Sequence, residues 1–311
     1  MHAGFVGVAA CWVCGSDKLT REHDAILDLE LYRDQHPQMA AYSGETVWFR
    51  RCATCGFAQP ERLPALPGFF DLLYDQLWSP DWVQHEFESS YKDFIFHTIL
   101  RGLDTRSDRR RRLLDIGAHA GRFMHLARSA GWTPEGIELN PRTAAFAAVR
   151  TGLPVHSVNV DRLPLAAANY GAITLIDVLE HVPDPLTLLS RVEAALEAGG
   201  WVAVKVPSGP AQRRKERLRA RLHRGYRPRL ADNLVHVNHF SPAALRAALE
   251  RIGFRQVTIE IAPPELPPAR RYRDASANLV RRSLYYGGRL LPRSVDTPLA
   301  LNLLAFGQKP E

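Results

Sequence analysis

Lysine is scarce in this chain: five residues (18, 92, 205, 215 and 309) among 40 basic ones, the other 35 being arginine. Such a skew reads as a GC-rich coding background, so arginine number by itself says little about partners. No apolar run approaches the roughly 18 residues that a membrane-spanning helix needs. Cysteine is limited to four residues, which excludes a disulfide-rich secreted scaffold. Val8-Ala9-Ala10-Cys11 has the form of a lipid-attachment box, but no Lys or Arg precedes it and its apolar stretch is too short for a signal-peptide core. The expected location is therefore cytoplasmic.

At 311 residues, 46% hydrophobic and 23% charged, the composition is that of a globular protein with room for one large domain and appendages. The formal net charge is +7. Between Arg213 and Arg229, nine basic residues face one acid, a local net of +8, so the remainder is close to neutral. A nucleic-acid function would rest on that segment alone. Only Tyr226 accompanies its arginines, whereas RNA-binding surfaces combine basic charge with exposed aromatics or a recognisable module.

The four cysteines form two C-x-x-C-G knuckles, Cys11-Trp12-Val13-Cys14-Gly15 and Cys52-Ala53-Thr54-Cys55-Gly56. Each turn can aim two thiolates at a common metal, and Cys11, Cys14, Cys52 and Cys55 together would complete a closed tetrahedral structural Zn²⁺ site. Two disulfides, an iron–sulfur site or a redox dithiol are the alternatives; a cytoplasmic chain disfavours the first. Pro60, Pro64 and Pro67 then mark a linker, and residues 69–97 are rich in aromatics. They read as a pair of amphipathic helices packed on the core, with the further role of a cap over a ligand.

The chain is organised around Leu113-Leu114-Asp115-Ile116-Gly117-Ala118-His119-Ala120-Gly121-Arg122-Phe123. A buried strand runs into a glycine-marked turn and then a helix over residues 122–130. Asp115 is costly inside such a run unless a ligand needs its carboxylate. A second apolar strand ends at Glu138-Leu139, at about the interval where nucleotide folds place a ribose-binding acid. Further strands are expected at 153–158, 172–177, 201–206, 256–261 and 299–306, and helices at 183–198, from Ser241 to Gly253, and at 275–284. Strand and helix alternate as in a doubly wound α/β sheet, whose ligands lie beyond the carboxyl ends of the strands. Asp115, Glu138, Asn159 or Asp161, and Asp177 all fall there.

On these residues, together with Leu175-Ile176-Asp177-Val178-Leu179-Glu180-His181-Val182 and Gly199 to Pro207, the chain resembles the class I S-adenosylmethionine (SAM)-dependent methyltransferases over about residues 108–262. It departs from the family's glycine loop at His119, where a middle glycine is usual. The resemblance implies a Rossmann-like seven-stranded sheet with helices on both faces, its last strand antiparallel beside the sixth. It implies SAM as cofactor, with Asp115, Gly117, His119, Gly121, Glu138, Leu139 and Asp177 around it, and Asn159 or Asp161 at the adenine amino group. The layout is similar to small-molecule and sugar methyltransferases that carry a zinc-binding N-terminal module. The expected division is a zinc-ribbon-like module over 1–60, a helical aromatic-rich cap over 61–107 and the methyltransferase domain over 108–311, with insertions at 208–235 and 263–297.

An oxygen acceptor must lose a proton, which a histidine can take. His236 and His239 at the rim are candidates, as is His181, which could instead serve the Glu-His-Val turn structurally. The leading expectation is methyl transfer to a small-molecule or glycan acceptor, for which the arginine insertion would suit an anionic group. The rivals are an RNA methyltransferase gripping the backbone with the zinc module and arginines, and a non-catalytic scaffold of the same fold.

Overall fold

The structure, a computed structural model, describes residues 4–74, 79–106, 111–159, 168–224, 226, 234–269 and 271–311. Trp78 and the end of the arginine run at 225 and 227–229 lie outside them.

Seven strands make the main sheet. In chain order they are β6 (Arg112–Ile116), β7 (Thr133–Ile137), β8 (Val155–His156), β9 (Tyr170–Ile176), β10 (Leu196–Pro207), β11 (Arg255–Ile261) and β12 (Asn302–Gln308). Their spatial order is β11-β12-β10-β9-β6-β7-β8. β6 to β10 run parallel to one another, while β12 enters antiparallel between β10 and β11. This is the sheet that the resemblance implies. Successive residues alternate between two fully covered faces, so the strands are apolar without gaps. Leu114, Val202 and Val204 join one buried cluster; Leu113, Ala203 and Leu304 join the other.

Helices α5 (Arg122–Ser129), α6 (Pro141–Thr151), α7 (Pro185–Ala195) and α9 (Pro242–Ile252) connect the strands. α9 is set by its ends: the Ser241 hydroxyl accepts from the Ala244 amide at 3.0 Å, Pro242 starts the first turn, and Leu245 and Leu249 are buried. α7 is shorter than the expected 183–198. Asp184 takes a left-handed φ of 51° before it, and residues 196–200 belong to β10, where a register shift absorbs them. The arginine run contains a helix too, α8 (Gly209–Leu222), although its basic residues form no clean face.

Residues 4–64 form two small antiparallel sheets. β1 (Phe5–Gly7) pairs with β5 (Arg62–Pro64), and β2 (Leu19–Ile26), β3 (Thr46–Cys52) and β4 (Ala58–Pro60) pair in that order, with the single turn α1 (Pro37–Ala40) between β2 and β3. The aromatic-rich stretch gives three helices rather than two: α2 (Phe69–Leu73), α3 (Pro80–Glu88) and α4 (Asp93–Asp104). α4 lays Ile95, Ile99 and Leu103 against one face of the sheet. The last helix, α10 (Tyr272–Arg289), is longer than the expected 275–284.

Candidate active site

The turn after β6 is built by close packing. Gly117 has φ of +79°, and a Cβ there would stand 2.4 Å from Val178 Cγ2, so only glycine lets this loop nest against the turn that follows β9. His119 adopts φ of +49°, a left-handed conformation that glycine adopts freely and histidine only at some cost. Its amide donates to Glu138 Oε2 at 2.9 Å, and its ring meets Trp82 edge-on at 5.1 Å. Glu138 Oε1 accepts from the Asn140 amide at 2.9 Å. One carboxylate thus ties together the loops after β6 and β7. Burial raises the Glu138 pKa, against the opposing pull of the Asn140, His119 and Leu139 amides.

These loops border a cavity of about 660 Å³ at the carboxyl ends of the central strands. Gly117, His119, Glu138, Leu139, Asn159, Asp177 and His181 line it. Asn159 donates to Asp71 Oδ1 at 2.7 Å, linking the segment after β8 to α2. Gly121 caps α5 with φ of +84°. Asp115 sits within β6 rather than at its end, opposite Gly136 and Thr174. It lines a side chamber of about 60 Å³ shared with Gly117 and His119. Burial pushes its carboxyl up to about 7; the Thr174 hydroxyl at 2.7 Å opposes this and the Glu138 charge adds to it. Asp161 lies outside the described residues.

The three histidines part company. His181 lines the cavity, and its Nδ1 stands 2.6 Å from the Val235 carbonyl, an acceptor only, so Nδ1 carries the proton and Nε2 keeps a lone pair. Burial lowers its pKa, although the Val235 carbonyl and Asp177 pull it up. His236 packs behind it at 4.8 Å between ring centroids, its pKa pushed down to about 4 by burial and then by His181. His239 does not reach the rim. It is 4% exposed, its ring stacks on Phe49 and His23, and its amide bonds to the Ala58 carbonyl. The pairing of β4 with its backbone draws it under the cysteine-bearing segment.

Several residues in or just behind the cavity wall escaped the sequence reading. Lys92 and the 3% exposed Lys205 both pair with Asp177, which itself sits at φ of +57°. Burial works to raise the Asp177 pKa, but the two lysine charges outweigh it and hold the group ionised. Glu180 is 2% exposed, and burial followed by the Asp177 charge lifts it to about 8, so it is protonated at neutral pH. A signal for the lysines did exist: in a chain that writes nearly every base as arginine, two of five lysines converge on one acid. A compact ammonium fits where a planar guanidinium would not. Leu63, Pro64 and Leu66 also line the cavity, so β5 and the residues after it supply one of its walls.

The four thiols come together. Cys11 and Cys55 Sγ are 3.7 Å apart, Cys14 and Cys52 3.5 Å, and all four lie within 4.8 Å of one another. A tetrahedral zinc with 2.3 Å bonds needs sulfurs about 3.8 Å apart, whereas a disulfide needs about 2.05 Å. Both knuckles repeat one geometry, with φ of 74° at Gly15 and Gly56. Gln59, fully buried, ties them by accepting from the Trp12 amide and donating to the Ala10 carbonyl. The donor set fits a closed structural metal site.

A parallel sheet with one antiparallel strand inserted at this place, with acids at the mouths of β7 and β9 and a buried acid within β6, matches the class I nucleotide-binding methyltransferase architecture. The methyltransferase-domain family profile matches residues 87–259, more than half the chain, and the protein belongs to that family of SAM-dependent methyltransferases. The ubiquinone biosynthesis O-methyltransferase of Thiobacillus denitrificans is 29% identical over 142 residues, covering 43% of this chain and 58% of that protein. The protein of the same description from Bordetella avium is 33% identical over 98 residues, covering 30% and 41%. The chain therefore spans about half the length of these curated relatives. Among solved structures, Haemonchus contortus phosphoethanolamine N-methyltransferase 2 in complex with SAM aligns with a TM-score of 0.53 at 13% identity, over 94% of this chain and 69% of that one. That similarity concerns the fold alone.

Proposed function

We propose that this chain transfers the methyl group of SAM to a hydroxyl oxygen of a small organic acceptor, with His181 as the base. The observation that carries the reading is the His181 ring: fixed through Nδ1, at the cavity wall, with its Nε2 lone pair free to take a proton. The similarity to O-methyltransferases of ubiquinone biosynthesis supports an oxygen acceptor. The apolar wall of Leu63, Pro64, Leu66 and Phe70 favours a ring or hydrocarbon body over a polar saccharide.

The bound donor supplies an electrophilic methyl on sulfonium sulfur. Glu138 would accept the ribose hydroxyls; its fixed carboxylate is already oriented and loses little freedom on binding. Gly117, His119, Gly121 and Leu139 would shape the loop walls, and Asn159, or Asp161, would face the adenine. The α5 amides and Lys92 would meet the carboxylate end, with Asp115 behind the loop in the side chamber. Asp177, held ionised between Lys92 and Lys205, would place negative charge near the donor's cationic end. His181 Nε2 takes the acceptor proton, and the neutral Glu180 at 3.9 Å avoids a competing charge beside it. His236 backs the His181 ring. The segment 1–60 acts as a zinc-binding module, 61–107 as a cap and 108–311 as the methyltransferase domain, with β5 shared between module and site. The α8 arginines support a structural rather than RNA-gripping role: Arg213 and Arg217 pair with Glu22 at 3.2 and 3.7 Å.

Two variants test the assignment with labelled SAM and a panel of hydroxylated aromatic acceptors. Glu138→Ala should weaken SAM binding by about 3 kcal/mol, roughly a hundredfold, through the loss of charged hydrogen bonds. His181→Asn should lower kcat by roughly 10² or more while SAM affinity stays within a few-fold. Because the His181 pKa is depressed, wild-type activity should persist below pH 6.5 and fall only in more acidic solution. Normal SAM affinity in the first variant, or normal kcat in the second, would remove the corresponding role.

A further inference from the structure

α10 is held to the protein on one side, with Asn278 donating to the Pro267 carbonyl, Arg289 paired with Glu260 and Tyr286 reaching the Phe94 ring. Tyr285 and Gly288 are its buried residues; Tyr285 meets the Phe94 ring of α4 edge-on at 5.3 Å, and a Cβ at Gly288 would stand 3.3–3.4 Å from Leu299 and Ile261. At 100° per residue the opposite side carries Tyr272, Leu279, Tyr286 and Leu290, which fall within about 40° of one another. Their exposures are 91, 66, 56 and 86%. Val280, Leu284 and Leu291, a quarter-turn or more round the helix, are exposed as well, so seven of the fourteen large exposed apolar side chains among the described residues lie between positions 272 and 291. A helix in water normally turns such a stripe inward; this one turns it outward over its whole length.

Charge identifies what covers it. Between residues 271 and 293 there are six arginines, all exposed, and one acid, Asp274. Arg289 is paired with Glu260 at 2.7 Å, but a second copy of the chain laid on this stripe would still bring its other arginines beside these, and like charges across an interface are costly. An apolar stripe bordered by guanidinium groups is the arrangement of helices that lie in the plane of a bilayer, apolar side in the acyl boundary and cations among anionic headgroups. α10 is also too charged to span: among the described residues no helix is long and apolar enough to cross a membrane. We propose that α10 is a docking surface for an anionic phospholipid membrane, on which the protein rests peripherally through Tyr272, Leu279, Tyr286 and Leu290. The opposite, buried side of the helix leans on α4, whose preceding residue Lys92 lines the cavity.

The test is sedimentation of the whole protein with vesicles of phosphatidylcholine, alone or with about one third phosphatidylglycerol. Binding to the anionic vesicles is expected, weakening at high salt, with much less on neutral ones. Arg271→Gln combined with Arg282→Gln, the two exposed arginines nearest one edge of the stripe, should weaken partitioning roughly 25-fold, about fivefold per charge. Leu279→Ser and Leu290→Ser should each weaken it roughly tenfold. These side chains are exposed, and unchanged SAM binding in each variant verifies the fold. The proposal is overturned if no vesicle composition retains the wild type, if the four substitutions leave partitioning unchanged, or if RNA competes for the surface more tightly than vesicles. It is equally overturned if Leu279→Ser abolishes a concentration-dependent dimer while vesicles go unbound.

Discussion

Asp115 is buried within β6 beneath the turn that faces the cavity, and the Thr174 hydroxyl donates to it at 2.7 Å. Folding raises its pKa from 3.8 to about 7, so the folded chain holds its proton more tightly than the unfolded one. Between about pH 4 and 7 the fold therefore loses stability as pH rises, and above 7 the loss is complete. Asp115→Asn removes this dependence. Denaturant unfolding at pH 5, 6, 7 and 8 should show the variant gaining on the wild type by about 3 kcal/mol across the series, with little further gain above pH 7. A parallel offset across the series would contradict the burial account. At this scale the sequence was informative where chemistry clashes with its surroundings, as with an acid in an apolar strand or a histidine where glycine is usual. It was silent about partnership. Nothing local to Asp177 announced Lys92 and Lys205, which arrive from 85 and 28 residues away in sequence. Nothing local to His239 showed that β4 would claim it.

Ser241 shows how one element can be held at two levels. Its hydroxyl caps α9 by accepting from Ala244 and donates to the Cys55 carbonyl at 2.7 Å, so a helix start and a cysteine knuckle share one oxygen. Arg251, near the other end of the helix, donates to the Val13 carbonyl at 2.8 Å. Ser241→Ala should cost about 1–2 kcal/mol from the cap. Chelator titration should also show weaker metal retention than in the wild type, since the Cys55 carbonyl loses its donor. If stability falls with metal retention unchanged, the bond to Cys55 has no influence on the site. α9 was readable because its start signal, apolar spacing and terminal glycine agree. α7 was misread at both ends because Asp184 enters it through a conformation that its sequence does not advertise. α8 went unrecognised because arginines occupy every side and its placement depends on Glu22, nearly two hundred residues upstream.

At the scale of the molecule, the cysteine site shares a single apolar cluster with α9 and the sheet: Cys11, Cys52, Cys55 and Phe57 pack with Phe240, Leu245 and Leu249. Beyond Cys55, β4 and β5 carry the chain to Leu63 and Pro64 at the cavity. Stripping the metal should therefore act at a distance. Purified protein should contain about one zinc per chain, and a chelator should lower Tm by about 5 °C or more. It should also raise KM for the acceptor more than KM for SAM. Equal effects on both would mean that β5 does not shape the acceptor side. The order of strands followed from alternation and resemblance, but the joint between module and sheet did not, since it is written in pairings that span most of the chain.

That order also bears on how the protein is made. β12 lies between β10 and β11, bonded to both, so two strands synthesised earlier must wait for residues 302–308 before the sheet can close. Until then β10 presents an open, strongly apolar edge, and β11 has no place to pair. Chains ending before residue 302 should thus be conspicuous clients of chaperones, while the full chain, once released with residues 302–308 free to pair, should fold.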